Sequence, residues 1–231
     1  RTLCRVCGKQ TADYLGTLNS YKEFQFNVFQ CVHCGCRFVW RDFSIHDELH
    51  ACDASPYSSH TNLADTIENL FYHHKCERIK KILSNSMKFK FILDTIGQLP
   101  KSKRLLEIGC SQGYLSAFYI CAGYSIIGTD ISDTAISLAR RRFGDHFLVF
   151  NAEDPQKLEE LGQFDVVFTV GTIGCVNDPV RFIKNLLSLL KSGGILLFNA
   201  PDLQAVIDSR AIWVDTPPPD LITIFPEKFW T

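Results

Sequence analysis

From residue 104 onward the chain alternates short apolar runs with amphipathic segments. RLLEI (104–108), SIIGT (125–129), HFLVF (146–150), FDVVFTV (164–170) and GILLF (194–198) are continuous or nearly continuous apolar runs, the pattern of strands buried on both faces. Between them YLSAFYICAG, DTAISLARRRF, DPQKLEELG and DPVRFIKNLLSLLKSGG read as helices, several opening on Asp and closing on Gly. Such β-α alternation predicts an α/β domain whose mostly parallel sheet is doubly wound, with helices on both faces.

Upstream the pattern changes twice. Between 62 and 99, Leu63, Ile67, Leu70 and Phe71, then Ile79, Ile82 and Leu83, then Phe91, Ile92, Ile96 and Leu99 recur at spacings of three and four, predicting two helices broken near Ser84–Ser86. Residues 41–61 are polar and mixed, a connector with at most one short helix. Residues 1–40 hold short apolar stretches (Tyr14 and Leu15, Phe24–Phe29, Phe38–Trp40) without helical period, as in a small β module. Three parts are therefore expected: 1–40, a helical connector or cap at 41–100, and the main domain at 101–231.

Composition narrows the picture. The 231 residues are 46% apolar and 21% charged, enough for one medium core or two small ones. No run approaches the roughly 18 apolar residues of a membrane span, so the chain is read as a cytoplasmic protein with no membrane partner. Net charge is −1, which leaves no global footprint for nucleic acid. Locally, residues 75–104 carry nine Lys/Arg against two Asp/Glu. That face is either solvated or attracts a phosphorylated substrate.

Five of the ten cysteines fall within the first 36 residues. Cys4-Arg-Val-Cys7-Gly and Cys31-Val-His-Cys34-Gly are two CxxCG knuckles at either end of the β module, each turning two thiolates to one side. Together they make a four-cysteine site of the zinc-ribbon kind, with Zn²⁺ in a closed, structural role. Two disulfides or unliganded core thiols are the competing readings. His33 is expected to face solvent and Cys36 to serve as a small apolar residue.

The most informative stretch follows the first apolar run. Gly109-Cys110-Ser111-Gln112-Gly113 lies between a strand and a helix that starts at Tyr114, an arrangement that aims backbone N–H groups at a ligand. Asp130 ends the next strand, about 20 residues on, where an acid accepts both hydroxyls of a ribose. Ser111 and Tyr114 stand where a dinucleotide fingerprint needs glycines, and the Gly-Lys-Ser/Thr of a P-loop is missing. The same residues fit GxSxG, but a hydrolase needs a downstream acid and His, and His146 is the only histidine after Ser111.

LEIGCSQGYL (106–115) resembles the glycine loop of class I S-adenosylmethionine (SAM)-dependent methyltransferases, with Ser111 at its middle glycine. IIGTDIS matches the ribose-binding acid, FNAED (150–154) the adenine turn, and Phe164–Pro201 the fourth strand, helix and fifth strand with an LKxGG turn. The resemblance implies a Rossmann-like fold and SAM as cofactor. It implies that Glu107 orients the loop near the methionine amino group, that Gly109, Cys110, Ser111, Gly113 and Tyr114 surround the methionine, and that Asp130 holds the ribose. Ile131 would pack on adenine, Ala152 and Glu153 would lie at its edge, and Val170, Gly171 and Thr172 would line the substrate side. With the N-terminal knuckles, the chain is similar to bacterial sugar and small-molecule methyltransferases that carry a zinc-binding segment. A small-molecule acceptor such as a sugar nucleotide is the leading expectation. The alternatives are an RNA methyltransferase using the ribbon and the basic 75–104 segment, and a non-catalytic SAM-binding or interaction protein. Where related enzymes carry a basic histidine this chain has Gly174-Cys175-Val176, so Tyr72, His73 and His74 are the replacement candidates. The last 32 residues are expected to fall short of a complete sheet for the family.

Overall fold

The computed structural model describes residues 1–19, 25–40, 58–214, 216, 218 and 220–230, without the side chains of 58–61 and 157. The 41–57 connector, Phe24 and Cys52 lie outside these residues. Contacts divide the chain into two compact units, one from 1–48, 171–183 and 200–231, the other from 49–170 and 184–199.

The first unit is built on an antiparallel sheet. β1 (Ala12–Asn19) pairs with β2 (Gln25–Cys31), and β2 with β3 (Arg37–Val39). A fourth strand comes from far along the chain: Thr223–Ile224 pairs antiparallel with β3, placing Phe38 opposite Thr223. Phe26, Val28 and Val39 share a core with Leu203 and Val206 of helix Leu203–Asp208, with Trp213, and with Leu221, Ile222 and Ile224. The small β module of the sequence reading is thus completed by C-terminal residues. Arg37 fastens the two ends, its guanidinium donating to the carbonyls of Ala211 and Ile212 at 3.2 and 2.9 Å.

The second unit opens with three helices, α1 (Ser58–Tyr72), α2 (Cys76–Leu83) and α3 (Met87–Ile96), where the spacing predicts two. The unforeseen break at 73–75 passes through His74, whose φ of 50° lies in the left-handed region that ends a helix. Five parallel strands follow: β4 (Arg104–Ile108), β5 (Ser125–Asp130), β6 (Phe147–Val149), β7 (Phe164–Thr169) and β8 (Leu190–Phe198). Their order is β6-β5-β4-β7-β8, the doubly wound arrangement with its switch point between β4 and β7. Helices α4 (Tyr114–Cys121) and α5 (Asp133–Phe143) connect the first three strands; Ser132 caps α5, its hydroxyl accepting from the Ala135 amide at 3.2 Å. Leu158–Leu161 is the remaining helix wholly within this unit, while helix Pro179–Ser188 of the alternation is divided, residues 179–183 counting with the first unit and 184–188 with this one. The stretch Lys191–Gly194, expected as a turn, lies inside β8, and the β7–β8 register shifts between Phe164 and Val166. Gly193 at φ 74° supplies the kink.

One core holds this unit together. Leu105, Val166 and Phe168 of the sheet meet Leu115, Phe118 and Tyr119 of α4, Ile136 and Phe143 of α5, and Ala64, Ile67, Ile79, Leu83, Ile92 and Ile96 of α1–α3. Each such aliphatic side chain stabilises by about 1.5–3 kcal/mol, so the three helices are integral to the unit. A disulfide between Cys76 and Cys121 joins the start of α2 to the end of α4.

Candidate functional site

The carboxyl ends of β4 and β5 carry the predicted loop and acid, and the structure brings them together. The loop is docked on β5 by two amides: Gly109 and Cys110 both donate to the Thr129 carbonyl, at 2.7 and 2.9 Å. Gly109, Ser111 and Gly113 have φ of 75°, 50° and 80°, so three alternate positions use the left-handed region. Ser111 there bears a side chain in a conformation that favours glycine. At Gly113 a Cβ would meet Phe147 at 2.5 Å and Ala139 at 3.0 Å. Close packing of the loop on the sheet already demands glycine at 113.

Asp130 closes β5 with its carboxylate bridging two backbone amides. Oδ2 accepts from Ser111 N at 2.8 Å and Oδ1 from Ser132 N at 3.0 Å. Burial raises its pKa, and the amide hydrogen bonds oppose that rise. Each oxygen keeps a second lone pair for an incoming hydroxyl. Ile131, next in the chain, is 53% exposed, an apolar face beside the acid. One strand over, Glu107 is buried and accepts from Ser116 Oγ of α4 at 2.6 Å. Desolvation pushes its pKa up to about 7 despite that bond, and the Asp130 charge adds to the rise. Two desolvated carboxylates on adjacent strands make an acidic edge suited to a cationic ligand. Gly113 provides no side-chain cap for α4, and a helix N-terminus favours an anionic group beside it.

Cys110 and Tyr114 are buried on this side of the fold, and burial raises the pKa of both. Neither titrates near neutrality. Ala152 is buried and its carbonyl accepts from Asn185 Nδ2 at 2.8 Å, while the Glu153 amide donates to Asn151 Oδ1 at 2.9 Å. Val170 follows β7 in the second unit. Gly171 and Thr172 belong to the first, where Cys175 Sγ lies 3.3 Å from the Gly171 carbonyl oxygen. Tyr72, His73 and His74 are exposed at the end of α1. The roles of Gln112, Ser116, Ser132, Arg142 and Asn185 were not read from the sequence. Only Ser132, an N-cap residue before an amphipathic run, carried a readable signal. A cleft of about 580 Å³ between α1 and α2 is lined by Thr66, Asn69 and Leu70 on one side and by Arg78, Lys81 and Ile82 of the basic segment on the other.

In the first unit Cys4, Cys7, Cys31 and Cys34 converge, with all four Sγ atoms within 4.8 Å of one another. The pairs Cys4–Cys34 and Cys7–Cys31 are each 3.7 Å apart. A tetrahedral ion with bonds of about 2.3 Å to sulfur requires edges of about 3.8 Å, so the donor set fits zinc. Disulfides need about 2.05 Å, and these cysteines are free. Amides of Val6 and Cys34 point at Cys4 and Cys31 sulfur. At Cys31 burial raises the pKa, but the Thr11 hydroxyl, 3.1 Å away, and the knuckle amides outweigh it, giving a value of about 6. His33 is exposed and Cys36 buried outside the cluster.

Against known proteins, a family model described as a methyltransferase domain matches residues 72–231. The ubiquinone biosynthesis O-methyltransferase of Coxiella burnetii is 32% identical over 120 residues, covering 51% of this chain and 50% of that protein. The protein of the same name in Bordetella pertussis is 29% identical over 119 residues, covering 50% and 49%. The chain spans about half the length of these curated relatives. Among solved structures, the magnesium protoporphyrin IX methyltransferase of Synechocystis with bound SAH is 15% identical over 82% of this chain and 85% of that one, with a TM-score of 0.49.

Proposed function

The chain belongs to the methyltransferase-domain family, and from that premise we propose that it transfers a methyl group from SAM to a small-molecule acceptor. SAM supplies an electrophilic methyl carbon on a sulfonium. The acceptor nucleophile bonds that carbon as the carbon–sulfur bond breaks, S-adenosylhomocysteine (SAH) leaves, and the acceptor proton passes to a base. Asp130 accepts the ribose hydroxyls and holds the glycine loop through the Ser111 amide. Glu107 faces the methionine ammonium, and Ile131 covers the adenine with Ala152 and Glu153 at its edge. The protein's contribution is chiefly alignment, since an in-line displacement gains most from a fixed approach.

The observation that carries this reading is the Asp130 carboxylate, fixed by the amides of Ser111 and Ser132 beside a left-handed loop. Calorimetry with SAH tests it: micromolar binding to the intact chain, lost in Asp130→Ala with an unchanged circular dichroism spectrum, is expected. An intact chain that binds no SAH would refute it. At finer grain, we assign the acceptor to phosphate-bearing small molecules such as nucleotide sugars. The α1–α2 cleft supports this, because Arg78 and Lys81 line it without a carboxylate partner among the described residues. The four-cysteine cluster takes Zn²⁺ in a structural role, having no ligand position left open for chemistry.

No helix of the described residues is long and apolar enough to cross a membrane. Of the base candidates, Tyr72, His73 and His74 are solvent-accessible, so a proton taken up there can leave to water.

A further inference from the structure

The α5 helix buries one charge that the site described above does not use. Arg142 is 7% exposed, and its guanidinium reaches two elements at once. Nη2 donates to Asp65 Oδ1 and Nε pairs with Glu68 Oε2 at 3.1 Å, both on α1, while Nη1 donates to Gln112 Oε1 in the glycine loop. Asp65 and Glu68 are three residues apart and so share one face of α1. Gln112 is itself buried and sits between Ser111, whose amide bonds Asp130, and Gly113 at the start of α4.

We infer that Arg142 is a positioning residue that locks the glycine loop to helix α1 through Gln112, so that the shape of the SAM-binding loop depends on that helix. The inference rests on the reading of loop 109–113 as the SAM site. It does not rest on packing alone, because α1 and α5 are already joined through Ala64, Ile67, Ile136, Ala139 and Phe143 in the common core. An arginine buried beside that core costs desolvation that an apolar residue would not. What the guanidinium adds is direction. Its rigid fork can serve several acceptors at fixed angles, and here it spends them on two carboxylates of α1 and one loop amide. With Ser111 tied to Asp130 and Gln112 tied to Arg142, two consecutive loop residues are held from opposite sides.

Arg142→Met leaves Asp65 and Glu68 without their cation and is a poor test, since misfolding would mask the loop. Gln112→Ala removes the loop's contact with Arg142 and leaves the ion pairs to Asp65 and Glu68 in place. SAH calorimetry on the full chain, with hydrogen exchange of residues 109–113 in the absence of ligand, reads the effect. Gln112→Ala is expected to weaken SAH by about tenfold or more and to speed loop exchange, at a melting temperature close to that of the parent. Asp65→Asn with Glu68→Gln, which touches no loop residue, is expected to speed exchange of the same amides. Unchanged SAH affinity and unchanged exchange in Gln112→Ala would overturn this inference alone. A parent chain that binds no SAH would overturn the SAM reading and this inference together.

Discussion

Ser111 donates its backbone N–H to Asp130 Oδ2 at 2.8 Å across nineteen residues of chain. The bond joins the middle of a left-handed loop to the last residue of β5. It gives the acid two tasks, fixing the loop and offering its remaining lone pairs to a ligand. The second task needs an ionised carboxylate, the first only an acceptor.

That division makes Asp130→Asn more informative than deletion. The amide oxygen can accept from Ser111 or from Ser132 but not from both, so the added NH₂ is set against one of those backbone N–H donors as well as against the ribose hydroxyls. SAH affinity should fall by about 100-fold, equivalent to about 3 kcal/mol, with a smaller loss of thermal stability, about 1–3 kcal/mol, from the one backbone amide left unpaired. Calorimetry and differential scanning together check this. Loss of stability without loss of affinity would assign Asp130 to architecture alone.

Glu107 predicts a pH dependence of folding. Its pKa is pushed up to about 7 by desolvation, against an ordinary value of 4.5. The folded chain therefore holds a proton that the unfolded chain releases. The stabilisation is fully present below pH 4.5 and is lost as pH rises through 7. Glu107→Gln cannot ionise, so the variant is expected to exceed the parent at pH 8 by about 3 kcal/mol and to lack the slope. Urea unfolding of the ligand-free protein at pH 5 and pH 8 measures the difference. Parallel pH profiles for the two proteins would show that Glu107 is not the group responsible.

The sheet and the donor loop were legible because the governing signals are local. RLLEI and FDVVFTV are apolar without alternation, which only a strand covered on both faces explains, and the loop glycines sit one turn before a helix. The knuckles were legible for the same reason, since CxxC fixes its geometry within four residues. What escaped notice depends on distance. The Thr223–Ile224 strand is two residues long and finds β3 across most of the chain, with no pattern of its own. Arg142 follows Arg140 and Arg141 on an amphipathic helix, and composition cannot say which of three arginines turns inward. Cys76 and Cys121 lie 45 residues apart, and their pairing is a property of where α2 and α4 meet.

The disulfide supplies a prediction that also bears on compartment. Closing a loop of 45 residues restricts the unfolded chain by about 4 kcal/mol in the entropic account, with measured bridges nearer 2–4 kcal/mol. Cys121→Ser is expected to lower stability by that amount in oxidising buffer and to match the parent in excess reductant. Mass spectrometry of the protein as isolated from its host checks whether the bond forms there. A reduced pair would agree with a cytoplasmic address, where disulfides are rare.

The metal cluster makes the last prediction, through a residue inside its first knuckle. Arg5 lies between Cys4 and Cys7, and its guanidinium donates to the Val39 carbonyl at 2.8 Å and to the Asn177 carbonyl at 3.2 Å. It thereby ties the knuckle to β3 and to the 171–183 segment of the same unit. Four thiolates within 4.8 Å repel one another unless a cation sits between them or protons return to them. Metal analysis is expected to find one zinc per chain, and Cys31→Ser to lose it. On chelation at pH 8 the knuckle should open, and because Arg5 moves with it, amides at 174–177 and along β3 are expected to exchange faster than those of β4 and β5. If zinc is bound but its removal leaves exchange at 174–177 unchanged, the cluster stabilises only its own turns and Arg5 transmits nothing beyond them.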